Sequence, residues 1–490
     1  MQIVLAGLHL IAYNCGQYRE QTSPLTQSGG QDADTRYVFD SCGQKSAGRR
    51  RRTARVDPSN AMRDAHVRLE ASTTKPNLNE NIKARTIMKK IPLRHGIFLA
   101  PFHDVEEDPS TCLQRDLELV ELVERLGYEE AWVGEHHSAG FEMIASPELF
   151  IAAAAERTRR IYLGTGVVSL PYHNPFMVAQ RIIQLDHMTR GRVIFGAGPG
   201  LLTSDALMIG LTPEVLRDRL VQGLDVILRL FAGETVTEKT DWYNLWNARL
   251  HLMPYTYPYP EVCVASAVTP SGGRVAGKYG LGLICMAATN PNGFDALGTN
   301  WKIACDLAEG QGNSMDPGGL RLVAPMHIAE TRDQARKNVM HGIEKWLDYR
   351  ISINPTVPLR KGSTIDEMID NVIQDQGAVI GTPDDAIAKI EGLYGKQGQF
   401  GALLISANDW ANWENSKKSY ELYARFVRPH FSGTNRNRVA SLEWVRENAR
   451  SFGERSKNAQ RQVFEKHEAE LARSATENEQ KPGLLGRRHS

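Results

Sequence analysis

The sequence has almost no net charge, because its 58 Lys and Arg residues are balanced by 57 Asp and Glu residues, for a formal charge of +1 over 490 residues. A chain without a basic or acidic excess has no bulk electrostatic attraction for nucleic acid or for an anionic membrane surface. It also has no apolar run long enough to cross a bilayer. These absences favour a small-molecule partner, and we expect neither nucleic acid nor membrane as a partner.

The sequence also lacks the usual patterns of metal ligands and of redox-active cysteines. No HExxH motif is present, and the adjacent His136 and His137 are not spaced to bind one metal from a helix. Cysteines without a CxxC pair or ligand-like spacing are expected to be reduced, packed side chains of a cytoplasmic protein. The six that fit this description are Cys15, Cys42, Cys112, Cys263, Cys285 and Cys305.

Both ends of the chain lack a sustained apolar period. Residues 1–90 are rich in Ser, Thr, Gln, Asp, Asn and Arg, which predicts a disordered N-terminal extension. The arginine cluster at 49–52 is interpreted either as an organellar or nuclear address or as a solvated tail, which could be non-native sequence upstream of a start near Met88. The apolar stretch at 3–12 lacks the basic leader of a secretory signal. Residues 433–490 are polar and predict a helical or disordered tail.

Between these ends, residues 91–432 alternate short apolar strands with amphipathic helices. The predicted helices tend to begin at a capping Ser, Thr or Asn followed by Pro, and several end at Gly. Eight strands with intervening helices fit a closed barrel better than an open sheet. The sequence therefore predicts an α/β fold, a (β/α)8 TIM barrel with insertions, whose strands lie near 94–100, 129–133, 161–170, 192–196, 261–265, 281–287, 320–329 and 400–406.

Two stretches interrupt the alternation. Residues 234–260 carry several aromatics and the prolines Pro254, Pro258 and Pro260, which predicts a surface excursion or a short β-hairpin. Residues 351–379 have few clear elements, which predicts a mobile lid.

The strongest chemical signal lies at the end of the second predicted strand, which leads directly into His136 and His137. Polar residues at the point where a strand ends are typical of a site in a parallel α/β protein. Because side chains alternate along a strand, the two histidines are expected on opposite faces. One is therefore the reactive candidate and the other a structural neighbour.

A glycine-rich segment, FGAGPG at 195–200, follows the fourth predicted strand. A dinucleotide fingerprint would need GxGxxG to open a helix directly, but Pro199 interrupts it and the next clear helix is expected near Pro213. Gly198 and Gly200 are better explained as positions where the backbone comes close to a flat ligand at the barrel mouth.

A second segment, between the fifth predicted strand and its helix, contains Ser266, Thr269, Ser271, Gly272 and Gly273. This arrangement offers free backbone amides and hydroxyls to a phosphate group. An ordinary capped helix start is the alternative interpretation.

Several motifs in a fixed order resemble the bacterial luciferase-like flavin monooxygenases, and the span 93–431, with SYELYARFVRPHF near its end, is similar to their limonene monooxygenase-like branch. The motifs are EHH at 135–137, ASPE at 145–148, LGTGVVSLPYHNP at 163–175, LDHMTRGRVIFGAGPG at 185–200 and GTPDD at 381–385.

The resemblance implies a barrel that binds reduced flavin, usually FMN with FAD as the alternative, supplied by a separate flavin reductase. With O2, such an enzyme would oxygenate a small, largely apolar substrate as one component of a two-component monooxygenase, and a homo-oligomer is compatible with it. It places His136 beside the flavin as the catalytic residue and Ser169 near the flavin ring, where these proteins often have an unusual peptide geometry.

The same resemblance assigns Ser266, Ser271 and Gly272 to the phosphate and places Gly198, Pro199 and Gly200 at the flavin site. At Gly198 and Pro199 the chain departs from luciferase, which carries a reactive cysteine and an arginine there, so light emission is not expected. Two other functions remain open on the same barrel. One is a deazaflavin-dependent oxidoreductase that transfers hydride without oxygen. The other is a non-catalytic flavin-binding accessory subunit, against which the presence of His136 argues.

Overall fold

The computed structural model describes residues 91–100, 102–290, 296–353 and 359–479, so the predicted disordered extension at 1–90 lies outside the described residues. The strands in these ranges are β1 (Arg94–Leu99), β2 (Glu130–Val133), β3 (Tyr162–Thr165), β4 (Val168–Ser169), β5 (Val193–Gly198), β6 (Val236–Lys239), β7 (Asn244–Ala248), β8 (Val262–Ser266), β9 (Gly282–Cys285), β10 (Leu320–Ile328), β11 (Val379–Gly381) and β12 (Ala402–Ser406).

Eight parallel strands close into a barrel, in the order β1, β2, β3, β5, β8, β9, β10, β12 and back to β1. This closure confirms the predicted (β/α)8 TIM barrel. Outside the ring, β4 pairs with β5, and β11 pairs with the end of β10. The antiparallel pair β6 and β7 is the β-hairpin that the prolines and aromatics of 234–260 predict as one of two possibilities.

Helices follow the strands around the barrel. They are α1 (Pro109–Arg125), α2 (Pro147–Arg157), α3 (Pro175–Thr189), α4 (Thr203–Met208), α5 (Pro213–Phe231), α6 (Ser271–Tyr279), α7 (Ala296–Gly310), α8 (Arg332–Val339), α9 (Ile343–Ile353), α10 (Ile365–Asp375), α11 (Pro383–Gln397), α12 (Trp413–Leu422), α13 (Arg428–Ser432) and α14 (Arg436–Glu479). The tail beyond residue 432, predicted as helical or disordered, is thus helical over α14.

The third predicted strand, 161–170, is wrong as one continuous strand. It divides into β3 and β4 around a cis peptide bond between Gly166 and Val167. The division has a local cause, because the Thr165 hydroxyl both donates to the Gly196 carbonyl oxygen at 2.7 Å and accepts from the Gly196 amide at 2.8 Å. A side chain thereby replaces the main-chain ladder between β3 and β5 at this point.

Three helix predictions also need correction. The sequence predicts Ser110 as the cap of the first helix, but Asp108 caps it, with a carboxylate that accepts from the Thr111 amide, and Ser110 lies inside the helix. The sequence also predicts one helix over 331–349, but the structure has two helices there, α8 and α9. The stretch 351–379, expected to have few elements, contains α10, whose buried Ile369 and Val372 pack with α8 and α9 in a separate hydrophobic cluster.

Side chains alternate between two apolar layers along the barrel strands. Phe98 and Trp132 point into the barrel, whereas their neighbours Ile97 and Val133 pack outward against the helices. The interior cluster consists of Phe98, Trp132, Ile194, Cys263, Ile284, Val323, Ala402 and Leu404.

A network of charged groups lies inside the barrel beside Trp132. The fully buried Arg321 bonds Glu130 at 2.9 Å and Glu261 at 2.7 Å, and its guanidinium lies 5.1 Å from the Trp132 ring centroid. Arg94 adds a second contact to Glu130 at 2.9 Å. Burial opposes ionisation of Glu130, but Arg321 and Arg94 hold the pKa of its carboxyl below the usual value.

Gly164→Ala is expected to destabilise the protein by about 1–3 kcal/mol, because the interior has no room for another methyl group. A Cβ at Gly164 would lie 2.4 Å from the buried Trp132 ring. Gly392→Ala is the matched control. Gly392 lies inside α11 and a Cβ there meets nothing within 4 Å, so this variant should gain about 0.5–1 kcal/mol. Urea unfolding of both variants measures the difference, and equal stabilities would contradict the packing described for Trp132.

Candidate active site

The predicted site residues lie at the carboxyl ends of neighbouring strands. Ser169 ends β4, Gly198 ends β5, Ser266 ends β8, and His136 lies three residues after β2. The strands β2, β3, β5 and β8 are consecutive in the barrel, and β4 extends β3 beside β5. The structure therefore brings these residues to one sector of the end of a TIM barrel where active sites are built.

His136 is held between two carboxylates. Its Nε2 lies 3.1 Å from Glu142 Oε2, and its Nδ1 lies 3.2 Å from Asp205 Oδ2. Burial opposes the charged form of the ring, but Glu142 and Asp205 outweigh it and raise the pKa of His136 to about 10. At neutral pH His136 is therefore an imidazolium ion that donates a hydrogen bond from each ring nitrogen.

The two carboxylates are themselves fixed by other groups. The Tyr349 hydroxyl of α9 donates to Glu142 Oε1 at 2.7 Å. Asp205, in α4, accepts from the His137 amide at 3.1 Å and from the Ser138 hydroxyl. A continuous chain of hydrogen bonds thus joins the loops after β2 and β5 to α9, and it restricts the position of the His136 ring.

The sequence did not reveal Glu142, Asp205 or Tyr349, the three residues that form this hydrogen-bond network with His136. Glu142 had a usable signal, since it is an acidic residue in the otherwise apolar stretch GFEMIA. Asp205 lies in α4, a short helix in a region where no helix was expected before about Pro213. Tyr349 is 207 positions from Glu142, and a single sequence gives no indication of such a pairing.

Glu135 organises a second set of contacts beside the first. Its buried carboxylate accepts from the Ser169 amide at 2.7 Å, His173 Nε2 at 2.7 Å and His137 Nε2 at 2.9 Å. Burial opposes ionisation, but these bonds lower the pKa of Glu135. Ser169 is therefore positioned through its backbone by the residue that precedes His136.

The structure does not place His136 and His137 on opposite faces of a strand, as the sequence predicts. Strand β2 ends at Val133, so the alternation of a strand does not extend to His136 and His137. His136 is the more enclosed side chain, with 11% of its surface exposed against 25% for His137. The hydrogen bond to Glu135 raises the pKa of His137, so His137 also interacts with a carboxylate at the barrel mouth.

Ser266 presents a hydroxyl without a protein partner. Its side chain is buried, and its Oγ has no hydrogen-bond partner among the described residues. The helix α6 begins five residues later, and the first amide seen to bond within its turn is that of Arg274, to the Pro270 carbonyl. The amides of the preceding residues are the ones that a helix start leaves for a ligand.

Gly272 has a clear structural role at this helix start. A Cβ at Gly272 would lie 2.4 Å from the Ala265 carbonyl oxygen, so the missing side chain lets the first turn of α6 pack directly on β8. Beside it, the hydroxyls of Thr269 and Ser271 lie 2.9 Å apart. A group of hydroxyls and amides therefore surrounds the end of β8.

The glycines of the β5 loop are also required by packing. A Cβ at Gly198 would lie 2.5 Å from Val167, and one at Gly200, whose φ is +87°, would lie 2.2 Å from the Tyr172 hydroxyl. Pro199, between them, is half-buried. Burial and the nearby Asp205 and Glu135 raise the pKa of Tyr172 to about 12, so its hydroxyl stays protonated.

Among the residues that the structure describes, no group of three or more His, Cys, Asp or Glu side chains is arranged to hold a metal ion. Over the same residues, no helix combines the length and apolar character needed to span a membrane.

The chain is similar to several known proteins. Residues 93–398 match the family described as luciferase-like monooxygenase. Limonene 1,2-monooxygenase of Rhodococcus erythropolis is 45% identical over 377 residues, which cover 77% of this chain and 96% of that protein. The 4-hydroxyprotoasukamycin monooxygenase of Streptomyces nodosus subsp. asukaensis is 44% identical over 362 residues, covering 73% of this chain and 97% of that protein.

Among solved structures, the oxygenating constituent of 3,6-diketocamphane monooxygenase from Pseudomonas putida, a type II Baeyer-Villiger monooxygenase in complex with FMN, has the same fold. Its TM-score is 0.58 at 22% identity, with 69% of this chain and 99% of that chain covered.

Proposed function

The chain belongs to the luciferase-like monooxygenase family, as its motifs predict, and is an enzyme of the monooxygenase class; from this we propose that it is the oxygenating component of a two-component, flavin-dependent system. It takes reduced FMN from a separate reductase in the cytoplasm and uses O2 to oxygenate a small, largely apolar organic substrate. The barrel of residues 91–432 is the catalytic unit, flanked by the extension 1–90 and the tail 433–490.

The unpartnered Ser266 hydroxyl is the observation that carries this proposal. A buried hydroxyl without a partner is costly unless a ligand completes its hydrogen bonding. With the amides of Ser271 and Gly272, it forms a polar cradle at a helix start, which is the setting that binds phosphate. The residues present therefore fit the phosphate of FMN, and Ser266, Ser271 and Gly272 would hold it.

The remainder of the cofactor would lie at the mouth between the β2 and β5 loops. Ser169, Gly198, Pro199 and Gly200 would contact it there through their backbone, and the related Pseudomonas putida enzyme has the same fold and binds FMN. When bound, reduced flavin supplies the electrons that activate O2 for oxygen transfer.

His136 contributes a fixed positive charge to this mouth. Because Glu142 and Asp205 orient its ring and keep it protonated, the charge is in place before any negative charge develops in the reaction. A ring held in this way requires no reorganisation at the moment of reaction. His136 would therefore hold a proton where oxygen is activated, which is the role of the catalytic residue.

Aromatic side chains lie next to the Glu142 carboxylate that bonds His136. Phe102 stacks on Phe141 with ring centroids 4.8 Å apart, and Tyr349 packs on Phe141 at 4.8 Å. Phe141 precedes Glu142 in the chain, so the apolar group and the charged group meet at one point. An apolar wall beside a protonated ring suits oxygenation of an apolar substrate with exclusion of water.

Anaerobic titration with reduced FMN, reduced FAD and a reduced deazaflavin tests the proposal. Reduced FMN should bind most tightly, and the complex should consume O2 when air is admitted. Preference for the deazaflavin without O2 consumption would instead indicate a hydride-transfer enzyme. Flavin binding without turnover of limonene or of any other apolar cyclic substrate would indicate an accessory subunit.

Ser271→Asp is expected to weaken the binding of FMN by about 10- to 100-fold, because it places a carboxylate where the phosphate is proposed to lie. The fold should be retained, since an acidic residue in the first turn of a helix is favourable. Ser271→Asn, of similar size but uncharged, is the control and should change affinity far less. Equal FMN affinity of the Asp and Asn variants would place the phosphate elsewhere.

A further inference from the structure

A second histidine near the mouth of the barrel is enclosed by carboxylates and has no part in the proposed flavin site. His103 lies in the loop after β1, and only 3% of its surface is exposed. Its Nε2 lies 3.0 Å from both carboxylate oxygens of Asp116 in α1, and its Nδ1 lies 2.8 Å from Asp409 Oδ2 in the loop after β12. The ring therefore connects α1 to the end of the last barrel strand.

Both ring nitrogens of His103 carry protons at neutral pH. Burial opposes the charged form, but Asp116 and Asp409 outweigh it and raise the pKa of His103 to about 9. Arg115 adds a contact to Asp409 at 3.0 Å and one to Glu107 at 2.9 Å. Buried ion pairs often add little net stability compared with apolar packing, but charged hydrogen bonds fix geometry. The cluster therefore holds the loop after β1 in one position.

The main chain of this loop is paired with the segment that carries Glu142. The His103 amide donates to the Phe141 carbonyl oxygen at 3.0 Å, and Phe102 forms an antiparallel bridge with Glu142. The rings of Phe102 and Phe141 stack with centroids 4.8 Å apart. Glu142 in turn lies 3.1 Å from His136 Nε2. The position of Glu142 relative to His136 thus depends on the loop that His103 holds.

We propose that His103 is a positioning residue for His136. By fixing the loop after β1, it keeps the segment 141–142 paired with that loop and holds the Glu142 carboxylate at hydrogen-bonding distance from the His136 ring. Because both nitrogens of His103 are bonded to carboxylates, its part is to hold this geometry and not to exchange protons with a substrate. The inference rests on the proposed function, in which His136 holds a proton where oxygen is activated.

The pKa of His136, measured by NMR titration without flavin, tests this positioning. His103→Gln keeps a donor near the place of Nε2 and His103→Asn keeps one near that of Nδ1, so each variant loses the link between α1 and the β12 loop. In both variants the pKa of His136 should fall by about one unit or more, which is about tenfold in its acid dissociation constant. The sign is diagnostic, because loss of the His103 positive charge would by direct electrostatics raise the pKa of His136.

His95→Gln is the matched control. His95 is also a buried histidine next to β1 residues of the core, and its Nδ1 lies 2.8 Å from the Tyr423 hydroxyl. Its replacement removes a buried hydrogen bond and should lower the melting temperature. The pKa of His136 should not change in this variant, because His95 has no link to the segment 141–142 among the contacts that the structure describes.

Phe102→Leu provides a variant that leaves every charge in place. It weakens the stacking on Phe141 and should shift the pKa of His136 in the same direction, so the result does not depend on whether the His103 variants fold. An unchanged or raised pKa of His136 in these variants, or an equal fall in His95→Gln, would overturn the positioning. A lowered pKa of His136, together with no binding of reduced FMN by the wild type, would uphold the positioning and contradict the proposed function.

Discussion

Replacing His136 by alanine is expected to lower product formation by about 10²- to 10⁴-fold, the range attributed to a positioned proton-holding side chain. The imidazolium between Glu142 and Asp205 is the enclosed positive charge beside the proposed flavin site, and alanine leaves two negative charges there without it. Oxygen activation should then become wasteful, with more hydrogen peroxide released per flavin oxidised. Product and peroxide yields, measured with equal amounts of reduced FMN, give the result.

Controls separate the charge of His136 from its packing. Alanine also leaves the buried Glu142 with an unpaired charge, which costs stability as well as activity. His136→Gln retains hydrogen bonding without the charge, so it should lose product formation while melting closer to the wild type. His137→Ala, whose ring bonds Glu135, should reduce product formation far less. Wild-type product yield from both His136 variants would show that this residue does not serve the reaction.

The pH dependence of His136 has a definite sign. Its pKa is raised in the folded protein from 6.5 to about 10, so its contribution to stability is fully present below pH 6.5 and is lost as pH rises through about 10. Over the intermediate range Glu142 and Asp205 stay ionised, because their pKa values are lowered. The stability difference between the wild type and His136→Gln should therefore shrink in alkaline solution. A His136 resonance that titrates near pH 6.5 would contradict the placement of this ring between the Glu142 and Asp205 carboxylates.

Arg321→Met is expected to destabilise the protein by about 3–5 kcal/mol, the cost of removing one partner from a buried charged network. Arg321 is fully buried and neutralises Glu130, which is also fully buried, while contacting Glu261 and the Trp132 ring. Methionine fills much of the volume but leaves Glu130 with Arg94 as its remaining cation. Chemical denaturation of the purified variant measures the loss.

A second substitution shows whether the cost comes from the charge. Adding Glu130→Gln to Arg321→Met removes the buried carboxylate and should recover part of the lost stability, so that the two substitutions are not additive. If Arg321→Met lowers the free energy of unfolding by less than about 1 kcal/mol, the buried charged network does not contribute to stability as its burial indicates.

Local sequence patterns were sufficient to predict the barrel. Each strand is a short apolar run between Gly, Pro or polar residues, and the helix stripe at Leu220, Leu224, Ile227 and Phe231 is buried as its spacing predicts. They failed where a side chain overrides the backbone ladder, as the Thr165 hydroxyl does between β3 and β5. Nothing in the apolar run 161–170 indicates that contact.

The sequence predicted where the site residues lie in the barrel better than it predicted which side chains contact them. Strand ends followed by polar residues pointed to His136 and Ser266, and the family resemblance added Ser169. These residues lie at one end of the barrel because parallel strands share their carboxyl ends. The groups that set the charge of His136 come from α4, the β2 loop and α9, and their approach depends on how these loops pack. Glu130 and Arg321 do leave a sequence signal, because each is a charged residue within an apolar strand.

The most direct test of the central claim is an oxygen-labelling experiment. Chemically reduced FMN and ¹⁸O2 are supplied to the enzyme with limonene or another apolar cyclic substrate, and the product is examined by mass spectrometry. We predict one ¹⁸O atom per product molecule, formed without any partner protein because the reduced flavin is already provided. Product that carries oxygen from water, or flavin oxidation that leaves every such substrate unchanged, would contradict a flavin-dependent monooxygenase.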